Sequence, residues 1–98
     1  MVERTVPWDM ADHIATPEAV AAYLEAAFED GDPATVAAAL GAIARSTGMT
    51  EVARRAGVTR EGLYKALSAE GDPRLSTLLG VTKALGLHLT VVAERPTA

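Results

Sequence analysis

Hydrophobic positions recur at helical spacing along most of this chain and change to strict alternation near its end. Val20, Leu24, Ala27 and Phe28 form a first apolar stripe, flanked by Tyr23. That stretch opens on Thr16-Pro17-Glu18, an N-cap, a first-turn proline and an acid near the positive helix end, and it closes at Gly31. Asp32-Pro33 repeats the start signal. A second helix is predicted over about 33–46, with Val36, Leu40, Ile43 and Ala44 inward and Gly48 as its stop. After a loop, AEGDP at 69–73, a further helix is predicted over about 74–85, with Leu75, Leu78, Leu79, Thr82 and Leu85 on one side and Gly86 closing it. Residues 87–93 (LHLTVVA) then alternate and are rich in β-branched types, which predicts a strand. A lone strand needs a partner, either residues 5–8 or the same strand of a second copy, and the second copy is the favoured expectation. Residues 1–15 carry weak signals: Pro7 bars a central strand position there, and Trp8 is expected to pack against the domain or a partner.

Between the second helix and the loop lies MTEVARRAGVTREGLYKALS, residues 49–68. Its pattern predicts two short helices joined by a tight turn. Thr50 is the expected N-cap of the first, which runs to Ala56; Gly57 supplies the left-handed turn; Thr59 caps the second, which runs to Ser68. Val52, Ala56, Val58, Leu63 and Ala66 fall where two steeply crossing helices touch, and the small Ala53 lets them approach. This is the spacing of a helix-turn-helix. Thr59, Arg60, Glu61, Tyr64, Lys65 and Ser68 are left outward on the second helix. Arg and Lys donate to guanine edges or phosphates, hydroxyls reach phosphates or bases, and Tyr stacks or meets a thymine methyl. The plainer reading is a helical-hairpin core with a solvated charged face.

Composition alters this picture in two ways. Nearly half of the 98 residues are hydrophobic, but many are alanine, which buries little area, so the core is small and help from a second subunit is expected. The net charge of −4 argues against nucleic acid only when taken whole. Residues 1–42 hold one base, Arg4, against eight acids, a balance of −7, whereas residues 43–83 hold seven bases against four acids, a balance of +3. The chain is polarised into an acidic N-terminal part and a basic centre suited to phosphate contact. The acidic part faces either a basic protein partner or solvent, where it would limit non-specific DNA binding.

Other chemistry is sparse. With no cysteine there is neither a disulfide framework nor a thiolate metal site. Asp9, Asp12 and His13 match no metal-ligand spacing, and His88 lies on the expected strand, so no metal, cofactor or enzyme is expected. Gly57 and Gly62 do not form a phosphate loop, since they flank a helix start rather than a strand-to-helix turn. No apolar run is long enough to span a membrane and the N-terminus has no leader pattern, so a cytoplasmic protein is expected.

The run GDPATVAAALGAIARSTGMTEVARRAGVTREGLYKALSAEGDPRLSTLLGVTKALGLHLTV resembles the antidote proteins of addiction modules, the HigA-like antitoxins of the Cro/CI-type (XRE) helix-turn-helix family. TREGLYKALS, the GDP loop after it and a helix ending KALGL are the most specific parts, and PEAVAAYLEAAFEDGDP is similar to the helix that precedes the domain in that family. The resemblance implies an all-α, five-helix, lambda-repressor-like domain over 16–86, with the helix-turn-helix at 49–68. An N-terminal extension (1–15) precedes it, and a short C-terminal β-strand and tail (87–98) follow. It also implies two linked activities: inhibition of a small RelE/HigB-like toxin, and repression of the protein's own operator as a dimer.

On this resemblance the recognition-helix contacts fall on Thr59, Arg60, Glu61, Tyr64 and Lys65, and the outward pattern of the helix adds Ser68. The family's phosphate contacts fall on Ser46, Thr50, Arg74 and Ser76, and the base Arg54 is expected to join them. Glu61 either accepts from a cytosine amine or orients Arg60, the latter being favoured, and Gly62 is expected to permit a close approach to the DNA backbone or to a neighbouring element. Leu87, Leu89, Val91 and Val92 are the candidate dimer contacts, and Trp8, Asp9, Asp12, Glu25 and Glu29 the candidate toxin contacts. A solitary or phage-derived regulator without a toxin is the competing expectation.

Overall fold

The computed structural model describes residues 16–94, and each of its helices begins or ends on a residue whose chemistry accounts for it. In α1 (Pro17–Asp30) the extended Thr16 accepts a hydrogen bond on Oγ1 from the Ala19 amide at 3.1 Å, and Pro17 fills the first position. Gly31, left-handed at φ 75°, ends the helix and donates its amide to the Phe28 carbonyl. Asp32 then takes the N-cap position of α2 (Pro33–Thr47); its carboxylate caps no amide, and its Oδ2 accepts from the Thr35 hydroxyl at 3.1 Å.

Gly48, at φ 123° and ψ 104°, both ends α2 and begins α3 (Met49–Ala56). The cap expected at Thr50 is therefore displaced. One glycine completes the reversal, so Met49 is already helical and buried, and Thr50 sits exposed in the first turn. Gly57 closes α3 at φ 76°, donating to the Arg54 carbonyl at 3.2 Å while the Val58 amide reaches Ala53 at 3.0 Å. Three residues after α3, α4 (Arg60–Ala66) starts on Thr59, whose Oγ1 accepts from the Gly62 amide at 2.9 Å. α5 (Leu75–Ala84) follows the loop.

α3 is the central element. It packs against α2, α4 and α5, and α1 leans on α2. Leu40, Ile43, Val52, Leu63, Leu67 and Val81 are fully buried between these helices, with Val20 and Leu24 completing the core from α1. Each such leucine contributes roughly 1.5–3 kcal/mol relative to exposure. Leu67, just past the end of α4, takes the core position that the spacing assigned to Ala66, which is only half-buried.

Two further expectations are corrected. On α5 the inward side is Thr77, Val81 and Thr82, with Leu78, Ala84 and Leu85 half-buried; Leu75 and Leu79 are 68% and 47% exposed. The helix is rotated because it meets α3 through its smallest residue: a Cβ on Gly80 would lie 3.0 Å from the Ala56 Cα. The strand expected over 87–93 is absent, and among the described residues no strand forms. A β-ladder needs a second row of amides and carbonyls, and residues 5–8, weighed as its partner, lie outside the described residues. Leu87 packs against the core, Leu89 is partly covered, and Val91 and Val92 are almost fully exposed.

α2 and the end of α4 also meet backbone to backbone, since a Cβ on Gly41 would collide with the Leu67 carbonyl oxygen. Alanine is the better helix former by about 1 kcal/mol, but overpacking here outweighs that. Gly41→Ala is expected to lower stability by about 1–3 kcal/mol, read as a fall in the urea midpoint. An unchanged or raised midpoint would show that α2 and the α4 terminus separate without cost.

Candidate nucleic-acid interface

α4 stands on Leu63 and Leu67, and these two anchors decide which side chains face outward. With Leu63 fully buried, Thr59, Arg60, Glu61, Tyr64 and Lys65 are exposed. At about 100° per residue, Arg60 and Lys65 mark the edges of an arc of roughly 140° that holds Tyr64 and Glu61 between them. Ser68 is placed differently. It is half-buried and its hydroxyl donates to the Lys65 carbonyl at 3.0 Å, finishing the helix rather than extending its outer face.

The Arg60 guanidinium lies over the Tyr64 ring, 5.6 Å from its centroid, which is cation–π distance. Glu61, expected to orient Arg60, makes no ion pair among the described residues. Gly62 is exposed, and a Cβ there would press on Thr59 Oγ1 alone, at 2.9 Å. No neighbouring helix approaches Gly62, which leaves a close approach to a DNA backbone as the remaining part of that expectation.

The phosphate-contact candidates divide. Thr50, Arg54, Arg74 and Ser76 are all exposed, and Arg74 forms the N-cap position of α5. The hydroxyl of Ser46, in contrast, is buried without a hydrogen-bond partner, turned away from solvent by the packing of the α2 terminus. Arg54 is tied into a cluster that the chosen candidates did not include. Its Nε donates to Glu51 Oε1 at 3.2 Å and its Nη2 to Oε2, while Arg55 Nε reaches the same Oε2 at 2.9 Å. The i,i+3 and i,i+4 spacings of Glu51, Arg54 and Arg55 carried that signal in the sequence. Hydrogen bonds from Arg54, then Arg55, hold the Glu51 carboxyl at about 2 against an ordinary 4.5, and the same pairing raises the Arg54 guanidinium.

The basic residues Arg45, Arg54, Arg55, Arg60, Lys65, Arg74 and Lys83 are all exposed. Four exposed acids, Glu25, Glu29, Asp30 and Asp32, cluster on α1 and the turn after it, while Glu51, Glu61, Glu70 and Asp72 lie among the basic residues. A shallow groove between α1 and α2, lined by Tyr23, Ala26, Asp30, Thr35 and Ala38, runs beside them. The other toxin-contact candidates, Trp8, Asp9 and Asp12, lie outside the described residues, as does His13. No described helix is long and apolar enough to cross a membrane.

The chain belongs to the family of probable addiction module antidote proteins, whose sequence model matches residues 4–93. It is also 40% identical over 95 residues to an uncharacterized protein of Haemophilus influenzae, a match spanning 97% of this chain and 98% of that one. No solved structure matches the chain. Membership of an antidote family implies a cognate toxin as partner.

The Glu51 cluster gives a pH signature. A carboxyl whose pKa is lower folded than unfolded stabilises fully above pH 4.5, and that contribution disappears as pH falls towards 2. In an NMR titration the Glu51 side chain is expected to show a midpoint near 2, moving back towards 4.5 in Arg54→Ala. It should move the same way at high salt. An ordinary midpoint at low salt would mean that the cluster does not persist in solution.

Proposed function

We propose that this chain is the antitoxin of a type II toxin–antitoxin module. It binds operator DNA as a homodimer, represses its own operon and neutralises a RelE/HigB-like toxin. Its family supports the antitoxin half of this reading. One observation carries the DNA half: α4 is anchored by Leu63 and Leu67 so that Thr59, Arg60, Glu61, Tyr64 and Lys65 all face outward. In this reading α3, the Gly57 turn and α4 are a helix-turn-helix of lambda-repressor-like type, with α4 the recognition helix. Two copies place their α4 helices in major grooves about 34 Å apart, or a multiple of that. Thr50, Arg54, Arg74 and Ser76 set register on phosphates, and Arg60 and Lys65 supply most contacts at the bases or the backbone.

The dimer reading is supported by apolar surface left uncovered: Leu75 and Leu79 on α5, and Leu89, Val91 and Val92 in the tail. The toxin reading is supported by the exposed acids of α1, which would draw a basic RNA-cleaving partner electrostatically.

Replacing Arg60 with alanine is expected to cost about 1–3 kcal/mol in affinity for the native operator if it pairs with a guanine, and to relax specificity at one base. Fluorescence anisotropy with matched and scrambled duplexes checks this. Equal weakening on both duplexes with a flatter salt dependence would assign Arg60 to phosphate instead. For the toxin surface, loss of residues 1–15 or the double change Glu25→Lys/Glu29→Lys is expected to weaken capture of the adjacent gene product in a pull-down. Undiminished capture by both variants would remove the acidic part from the toxin interface.

A further inference from the structure

We propose that Tyr64 acts in DNA recognition through Arg60: its ring is the platform that holds the guanidinium extended, and Tyr64 is a positioning residue rather than a reader of bases. This rests on the operator-binding reading. Tyr64 lies one helical turn after Arg60, so the two side chains share a flank of α4. The guanidinium lies over one face of the ring, 5.6 Å from its centroid, so that face is turned to Arg60. Tyr64 is 41% exposed and Arg60 is exposed beside it, so the pair lies on the open side of the helix. A long arginine otherwise loses rotamer freedom when it docks on a base edge; a guanidinium already lying on a flat ring loses less. The platform needs an aromatic face and has no use for the phenolic hydroxyl.

A variant set and a double-mutant cycle test this with the full chain and a duplex carrying its own promoter region. Tyr64→Phe is expected to keep operator affinity, and Tyr64→Leu to lose about two- to fivefold, the range of an exposed cation–π contact. In an Arg60→Ala background, Tyr64→Leu is expected to add nothing further. Circular dichroism melts check that the variants stay folded. Tyr64→Phe as weak as Tyr64→Leu would assign the hydroxyl to a direct contact and overturn the proposal. An undiminished effect of Tyr64→Leu in the Arg60→Ala background would also overturn it.

NMR of the protein without DNA separates this proposal from the reading it rests on. The Arg60 side-chain protons are expected to show an upfield ring-current shift, retained in Tyr64→Phe and lost in Tyr64→Leu. Absence of that shift in the unaltered protein overturns the platform whether or not DNA binds. The shift together with no salt-dependent retention of any duplex overturns the operator reading, and with it the recognition role of the pair.

Discussion

The structure depends on how closely other helices can approach α3. This helix has only eight residues, too few to stand alone in water, and it is held by neighbours on three sides. The approaches are made at residues with little or no side chain. Ala53 is buried in the contact region, Ala56 meets Gly80 of α5, and Gly57 turns the chain into α4. Gly41 does the same for α2, where it passes the carbonyl of Leu67. Small residues bring backbones together, and the large ones, Leu40, Ile43, Val52, Leu63 and Val81, fill the space between the axes. An alanine-rich chain can build a small, dense core in this way, and larger side chains at the crossing points would separate the helices.

The same economy leaves apolar surface outside. Because α5 meets α3 through Gly80, its buried side is narrow and Leu75 and Leu79 remain in solvent. The tail after Leu87 adds Val91 and Val92. A monomer this small cannot cover every large apolar residue it carries, which agrees with the reading of the chain as one half of a dimer. On the other side of the molecule, charge is sorted by helix. Most acids of the N-terminal half lie on α1 and the turn after it, and the bases of α3 to α5 on other elements; Glu51 on α3 and Glu61 on α4 are the helical exceptions, and two arginines share the Glu51 carboxylate. That cluster sets the local charge of α3 at one positive unit rather than two, which matters for any polyanion approaching it.

Helix starts and stops were legible because they rest on local chemistry. Thr16-Pro17, Gly31, Gly57 and Thr59 act within one turn of their own position, and the structure uses each where the spacing put it. The outward arc of α4 was legible for the same reason, once Leu63 was taken as its anchor. The errors came where two local signals competed or where a distant element decided. Thr50 was a good cap, but Gly48 made the turn first. Leu67, four residues after Leu63 and buried on the same side, was legible from helical spacing, but the small Ala66 took its place in the expected crossing contacts. The clasp of Glu51 by Arg54 and Arg55, and the seat of Arg60 on Tyr64, were both written in i,i+3 and i,i+4 spacings, yet each basic residue had several partners in reach.

The sequence by itself determined where the five helices lie, which turns join α1 to α4, and how acidic and basic residues divide along the chain, because caps, glycines and charges act through bonds and short spacings. The tertiary structure alone decided the rotation of α5, the burial of Ser46 and the exposure of Leu75 and Leu79. Those outcomes depend on which small residue meets which across a helix crossing, and steric contact between segments far apart in the chain leaves no periodic trace in either one.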